Sequence, residues 1–268
     1  MRELWQYREL VWFFISRDIK TRYQQTILGL IWVVVPGLMS AGLFTLIFGI
    51  IAGISTGDLP TPAFMYSGLL PWMLFSRAYG KACNALFGNA TLYTKVYFPR
   101  LISPIAGSIG QLVDFGMGMI LMLLMMAYYY ANGEIDGIPW YVVFLPLYLL
   151  MALVTAMAVG LWFAAASVRY RDIRLAGALV PQFWMWVSPV VIPSFKVAES
   201  TALPEWAKML YFANPICTVV DGFRWCLLGV QSPQPVSMQV FSVGLIIVLL
   251  IGGLIYFKRV ESTFVDVV

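Results

Sequence analysis

The chain has 268 residues, of which 61% are hydrophobic, 16% aromatic and only 11% charged, with a formal net charge of +4, three cysteines and no histidine. That apolar fraction exceeds the roughly 45–50% of soluble domains, which excludes a water-soluble globule and predicts an all-α polytopic membrane protein. Cys83, Cys217 and Cys226 show neither metal-ligand nor redox spacing, so no metal site and no disulfide framework is expected.

The first apolar run, "LVWFFI" at 10–15, is shorter than a signal-peptide core and is followed by Arg17, Asp18, Lys20 and Arg22, so it is expected to stay in the mature chain. Around it, residues 4–22 predict an amphipathic helix lying along the inner leaflet. At 100° per residue Leu4, Trp5, Val11, Trp12, Ile15 and Ile19 gather on one side, with Arg2, Gln6, Glu9 and Lys20 opposite. Arg8, Asp18 and Arg22 break the pattern. This helix is either a plain anchor or a mechanical element.

Charge-free runs at 23–57, 115–133, 137–168, 175–195 and 225–257 match the ~20 residues that cross the hydrocarbon of a bilayer. A sixth, at 62–82, carries Arg77 and Lys81 near its far end. Six spans are therefore predicted, the first at 28–54, the fourth at 140–168, the fifth at 175–193 and the last at 236–257. Pro36 in span one and Pro71 in span two each remove a backbone donor, and a kink is expected at Pro36–Gly37. Fourteen of the seventeen basic residues fall on one side of this topology, which places both termini in the cytoplasm.

Between spans two and three, "GNATLYTKVYFPRLISPI" mixes Lys95 and Arg100 with Tyr93, Tyr97 and Phe98 and predicts a short cytoplasmic helix that meets a partner. Span three carries the one carboxylate well inside a predicted membrane helix. Asp114 shares a stripe with Gly107, Gln111 and Gly118, at offsets of 4, 3 and 4, that should face protein or a cavity. It is either a functional acid or a packing partner for Arg77 or Lys81. The turn "VRYRDIR" between spans four and five concentrates Arg169, Arg171, Asp172 and Arg174. Residues 203–213 and 215–229 are too short and too often interrupted to cross, and they read as two amphipathic helices in the outer leaflet.

No nucleotide-binding loop of the G-x-x-x-x-G-K-[ST] type exists, so any ATPase must be another chain. Acid–base catalysis is poorly provisioned, with Asp114 lacking a histidine or a second carboxylate nearby in sequence. Ion-coupled transport would show more intramembrane charge or an internal repeat.

Four segments, "SRDIKTRYQQTILGLIWVVVPGL", "KVYFPRLISPIAGSIGQLVDF", "VRYRDIRLAGALVPQFWMWVSPVVIP" and "NPICTVVDGFRWCLLG", resemble in order the signature regions of type-2 ABC exporter permeases for cell-surface polysaccharides: O-antigen, capsule and teichoic acid. The resemblance covers nearly the whole chain and implies a single permease domain, 1–268, that forms a homodimer in the cytoplasmic (inner) membrane. Two ATP-binding cassette subunits would hold the ATP and magnesium, leaving this chain without a cofactor. It further implies an interface helix at 4–22, a coupling helix at 91–100 and extracytoplasmic gate helices at 203–229. Tyr93, Lys95, Tyr97, Arg100, Arg169, Arg171 and Asp172 would then meet the ATPase.

The implied cargo is a polyprenyl-diphosphate-linked polysaccharide, O-antigen foremost. Sugar rings stack on aromatic faces without demanding one sequence of sugars, so Tyr66, Trp72, Phe75, Phe183, Trp184 and Trp186 are candidates to line its path, against the alternative of lipid-facing or belt positions. Arg17, Lys20 and Arg22 are candidates for the lipid diphosphate, against a plain role in orientation. A drug or small-lipid exporter and a membrane-embedded glycosyl- or acyltransferase are the other readings. Membrane lipids are expected partners and nucleic acid is not.

Overall fold

The computed structural model describes residues 7–24, 31–51, 53, 59–88 and 98–261. Among these the regular elements are helical. They are α1 (Arg8–Tyr23), α2 (Ile31–Phe44), α3 (Thr61–Cys83), the single turn α4 (Ala85–Gly88), α5 (Ile102–Ile109), α6 (Gln111–Ala131), α7 (Leu145–Arg169), α8 (Arg171–Trp186), α9 (Ser194–Glu199), α10 (Glu205–Phe212), α11 (Pro215–Leu228) and α12 (Val236–Glu261). A π-helical segment, Thr45–Ile51, continues α2, and a 3-10 turn, Trp140–Phe144, leads into α7.

Among the described residues four helices are long and apolar enough to cross a membrane: Val34–Ile51, Ile102–Ala131, Trp140–Arg169 and Val236–Val260. The predicted second and fifth spans behave differently. α3 has the length, at 23 residues, but it lies at the centre of the bundle and packs on α2, α5, α6, α7, α8 and α11. Helix neighbours surround it, so its sequence tolerates Arg77 and Lys81 where a lipid-facing helix would not. α8 is only 16 residues long and ends at Trp186, after which 187–193 runs as turns. Both internal prolines are carried inside continuous helix, and the irregularity in span one is the π-helical segment rather than a break at Pro36.

The core forms around α3. Tyr66, Leu69, Leu70, Trp72, Phe75 and Tyr79 meet Met122 and Met126 of α6, Ala152 and Ala156 of α7, and Val219, Val220 and Phe223 of α11. A smaller cluster joins Leu86 to Leu161, Ala164 and Ala165 of α7 and to Phe257 of α12. The C-terminal ends of α3, α7 and α12 are thereby gathered at one end of the molecule. Arg77, Lys81, Arg169, Lys258 and Arg259 are collected there with them.

α11 is packed into the bundle: Pro215 to Phe223 are buried without interruption, and the helix lies against α3, α7 and the 3-10 turn. Its ends are well defined. Asn214 Oδ1 accepts the Ile216 N–H ahead of Pro215, and Gly229 at φ 70° closes the other end with its N–H on the Trp225 carbonyl.

Close helix contact depends on small residues. A β-carbon built on Gly160 of α7 would lie 2.6 Å from the Ala82 β-carbon and 3.3 Å from the Tyr79 carbonyl oxygen, so the backbones of α3 and α7 meet only because that atom is missing. Gly160→Val should therefore destabilise the fold by about 1–3 kcal/mol, the range for overpacking a filled core. Thermal unfolding in detergent measures this, and an unchanged midpoint would contradict the contact.

Candidate functional site

The residues that spoil the amphipathic pattern of α1 are the ones that tie it down. Tyr7, Leu10, Val11, Phe14, Ile15 and Ile19 form its packed side, resting on Phe98, Ile102 and Ala106. Trp12 and Phe13, at 69% and 57% exposure, project away, so Trp12 does not share the packed side that its place in the wheel predicted. On that packed side, one and two turns beyond Phe14, stand Asp18 and Arg22.

Each finds a partner in the bundle. Asp18 Oδ2 accepts from Lys81 Nζ at 2.7 Å, and Oδ1 accepts from Arg17 Nη2 at 3.3 Å. Partial burial pushes the Asp18 carboxyl upward, but the hydrogen bond and charge of Lys81, helped by Arg17, outweigh it and hold the group below the ordinary carboxylate value. Arg22 Nη1 donates to Asp114 Oδ2 at 2.6 Å and to Gln111 Oε1 at 3.3 Å, and Arg77 Nη1 reaches the same Asp114 oxygen at 3.0 Å. One buried carboxylate thus holds two arginines from two helices. Of the two predicted partners Asp114 takes Arg77, while Lys81 goes to Asp18.

The stripe that carries Asp114 faces α3 along its length. Gly107 leaves room for the Lys81 stem, 3.2 Å from where a β-carbon would stand, and Gly118 accepts a hydrogen bond from the Tyr66 hydroxyl at 3.1 Å on its carbonyl. Gln111 Nε2 is held by the Gly107 carbonyl at 3.0 Å, which aims its oxygen at Arg22. A cavity of about 170 Å³ opens beside the junction, bounded by Phe14, Arg17, Asp18, Lys81, Ser103 and Gly107. Two cations and one carboxylate give it a positive lining. Lys20 lies on the exposed side of α1, and Arg22 is held by Asp114.

The aromatic candidates separate into two groups. Tyr66, Trp72 and Phe75 are at most 5% exposed and lie inside the core around α3. Phe75 packs edge-on against Trp184 at 5.2 Å, and Trp184 is held in place by its Nε1–H on Asn214 Oδ1 at 2.9 Å. Asn214 also donates to the Val187 carbonyl and to Ser188 Oγ, so this tryptophan fastens α8 to the start of α11. Phe183 and Trp186 instead stand 70% and 60% exposed, and Leu175 and Leu179 extend their apolar stripe down α8.

The proposed coupling residues Tyr93, Lys95 and Tyr97 lie outside the described residues, as does the Arg171 side chain. Arg100 sits in the turn before α5. Arg169 ends α7 with its guanidinium 5.5 Å from the Tyr170 ring centroid, and Asp172 is exposed in the first turn of α8. These residues share the basic end with Arg174, which covers the Phe87 ring at 5.3 Å.

One buried charge pair was not anticipated from the sequence. Arg224 of α11 is 2% exposed, lies 4.1 Å over the Phe64 ring and stands 3.7 Å from Asp221 Oδ1. Gly68 admits it, since a β-carbon there would be 2.7 Å from Nη2. The only signal in the sequence was opposite charge three positions apart in an otherwise apolar run, which lets a helix go inside nearly neutral.

The profile of the ABC-2 type transporter family matches residues 9–228. Over 265 residues the chain is 28% identical to the O-antigen export system permease protein RfbA of Myxococcus xanthus, covering 98% of this chain and 96% of that one. It is 20% identical to the RfbA of Klebsiella pneumoniae over 260 residues, covering 97% and 95%. To the polysialic acid transport protein KpsM of Escherichia coli it is 23% identical over 249 residues, covering 92% of each.

Asp114→Asn should leave two arginines facing each other across an amide and cost about 1–3 kcal/mol, between the values for exposed and fully buried pairs because Arg22 and Arg77 keep 26% and 30% of their side chains exposed. Adding Arg77→Gln should recover part of that loss. A double-mutant cycle measures the coupling, and strict additivity would show that the pair does not act as a unit.

Proposed function

The chain belongs to the ABC-2 type transporter family, and we propose that it is the membrane subunit of an ATP-driven exporter that moves a lipid-linked cell-surface polysaccharide, O-antigen before capsule. The observation that carries this reading is end-to-end similarity to an O-antigen export permease, at higher identity and coverage than to the capsule transporter. Two copies would pair with two ATP-binding subunits in the cytoplasmic membrane.

Orientation follows from charge. We assign the end that holds Arg77, Lys81, Arg169, Arg174, Lys258 and Arg259 to the cytoplasm. α3 and α8 complete six spans with the four apolar helices, α8 through its continuation into 187–193. The stretch 203–229 forms the outer gate, in which α10 lies near the surface and α11 is built into the bundle.

Nucleotide-driven closure of the ATPase would act on the segment 91–100, on the Arg169–Asp172 turn and on α1. The ion pairs give the push a route. α1 is joined to α3 through Asp18–Lys81 and to α3 and α6 through Arg22, Asp114 and Arg77, so the three move as one body. A lipid diphosphate would be taken by the cationic cavity under α1, which Arg17 and Lys81 line, while Lys20 lies on the outer side of α1 and Arg22 serves the ion pair. Phe183 and Trp186, exposed on α8, are the candidates we retain to meet the glycan, and Tyr66, Trp72, Phe75 and Trp184 would support the wall behind them.

Purification from the native membrane in mild detergent should bring down an ATPase whose turnover rises when lipid-linked glycan is added. In that complex, charge reversal at Lys95 or Arg100 should leave ATP hydrolysis running and stop export. A chain that purifies alone, or an ATPase indifferent to glycolipid, would contradict the reading.

A further inference from the structure

The end of the molecule opposite the cations holds a cavity of about 440 Å³ between the 3-10 turn, α7, α11 and the loop that leads into α12. That lies within the roughly 300–1,000 Å³ of small-molecule sites. One side is aromatic. Tyr141 stacks on Trp225 with centroids 4.4 Å apart and planes 22° from parallel, and Phe144 lies on the same indole at 5.8 Å. Tyr148 extends this side, flat against α11 where a β-carbon on Gly222 would collide with its ring.

The other side is polar and held in place. Ser232 Oγ donates to Asp221 Oδ2 at 3.0 Å, Thr218 Oγ1 donates to Gln234 Oε1 at 3.0 Å, and Gln234 Nε2 is anchored on the Phe212 carbonyl. Gln239 Nε2 bonds the Gln234 carbonyl oxygen at 3.3 Å, and Gln231 lies exposed at the rim. None of this is needed to span a membrane. A ring of amides, hydroxyls and one carboxylate facing stacked aromatics suits a flat molecule with apolar C–H faces and an equator of hydroxyls.

We propose that this cavity binds a neutral pyranose unit of the exported glycan on the outer side of the membrane, a site separate from the aromatic stripe of α8. The inference rests on the exporter reading above and narrows its cargo. No lysine or arginine is among the described residues that line the cavity, and Asp221 is its carboxylate. Asp221 is already paired with Arg224 behind it at 3.7 Å, so the lining offers no free cation to an acidic sugar, whose carboxylate would lose water without gaining a partner, and a neutral unit is selected. The same hydrogen-bonded loop, 231–234, connects the cavity to α12, so an occupied site would stiffen the outer end of the last span.

The full chain in lipid nanodiscs, titrated by saturation-transfer NMR, tests this with neutral trisaccharides of glucose, galactose, mannose and N-acetylglucosamine and with sialyllactose as the acidic probe. At least one neutral probe should bind saturably and sialyllactose should not. Gln231→Ala with Gln239→Ala, which touches no packed side chain of the core, should weaken that binding about tenfold, the loss of one or two hydrogen bonds. Trp225→Phe keeps an aromatic ring in the stack and should weaken it less. Absence of saturable binding across the neutral panel, equal binding of sialyllactose, or full binding by the glutamine variant would each overturn the proposal. A strain deleted for the chain separates the two readings. Surface glycan lost on deletion with no binding to the panel sinks the cavity alone, and surface glycan unchanged on deletion sinks the exporter reading beneath it.

Discussion

A single carboxylate in an apolar bundle sets the terms for the cation-rich half of this molecule. Asp114 is buried, and burying a lone charge away from water costs several kcal/mol. Arg22 and Arg77 remove that penalty from two directions, one from α1 on the flank of the bundle and one from α3 at its centre. Neither arginine could take its position without the acid. The arrangement therefore fixes where α1 sits along α6, and the glycines at 107 and 118 follow from it because α3 has to come close enough for Arg77 to reach.

The two ends of the protein are chemically opposed. At one end cations gather around the C-terminal ends of α3, α7 and α12, and α1 is laced to them by charge. At the other, Asp221 and Arg224 pair inside the bundle, and the cavity beside them is lined by amide, hydroxyl and aromatic groups. Such a division suits a cargo with a charged lipid head and a long neutral tail. In the proposed exporter the anionic end would be collected where the cations are, and the polymer would meet surfaces that bind sugar rings weakly and without regard to order.

Much of the fold was legible because apolar run length is a strong physical signal. Runs such as 140–168 and 236–257 have one structural solution in lipid, and they are helices within a few residues of those bounds. What escaped was tertiary pairing. On a helical wheel Asp18 and Arg22 look like errors in an interfacial helix, because their partners lie 63 and 92 positions away in the chain. The aromatics divide for a related reason. Phe75 and Phe183 have the same side chain, and only the packing of α3 inside six neighbours separates a core ring from an exposed one. The depth of α11 in the bundle was not legible either, because Asp221 and Arg224 interrupt its apolar run, yet they pair within one helical turn and allow it to be buried.

Whether α1 travels with the bundle is the claim on which the transport account turns. Spin labels at Trp12→Cys on the exposed side of α1 and Leu124→Cys on the exposed side of α6, in a background with Cys83, Cys217 and Cys226 replaced, give the distance between them by pulsed electron resonance. With the ATPase present, the account predicts the same narrow distance before and after ATP is trapped, and a broadened one when Asp114→Asn is added. A wild-type distance that shifts on ATP trapping, or one that Asp114→Asn leaves narrow, would contradict it.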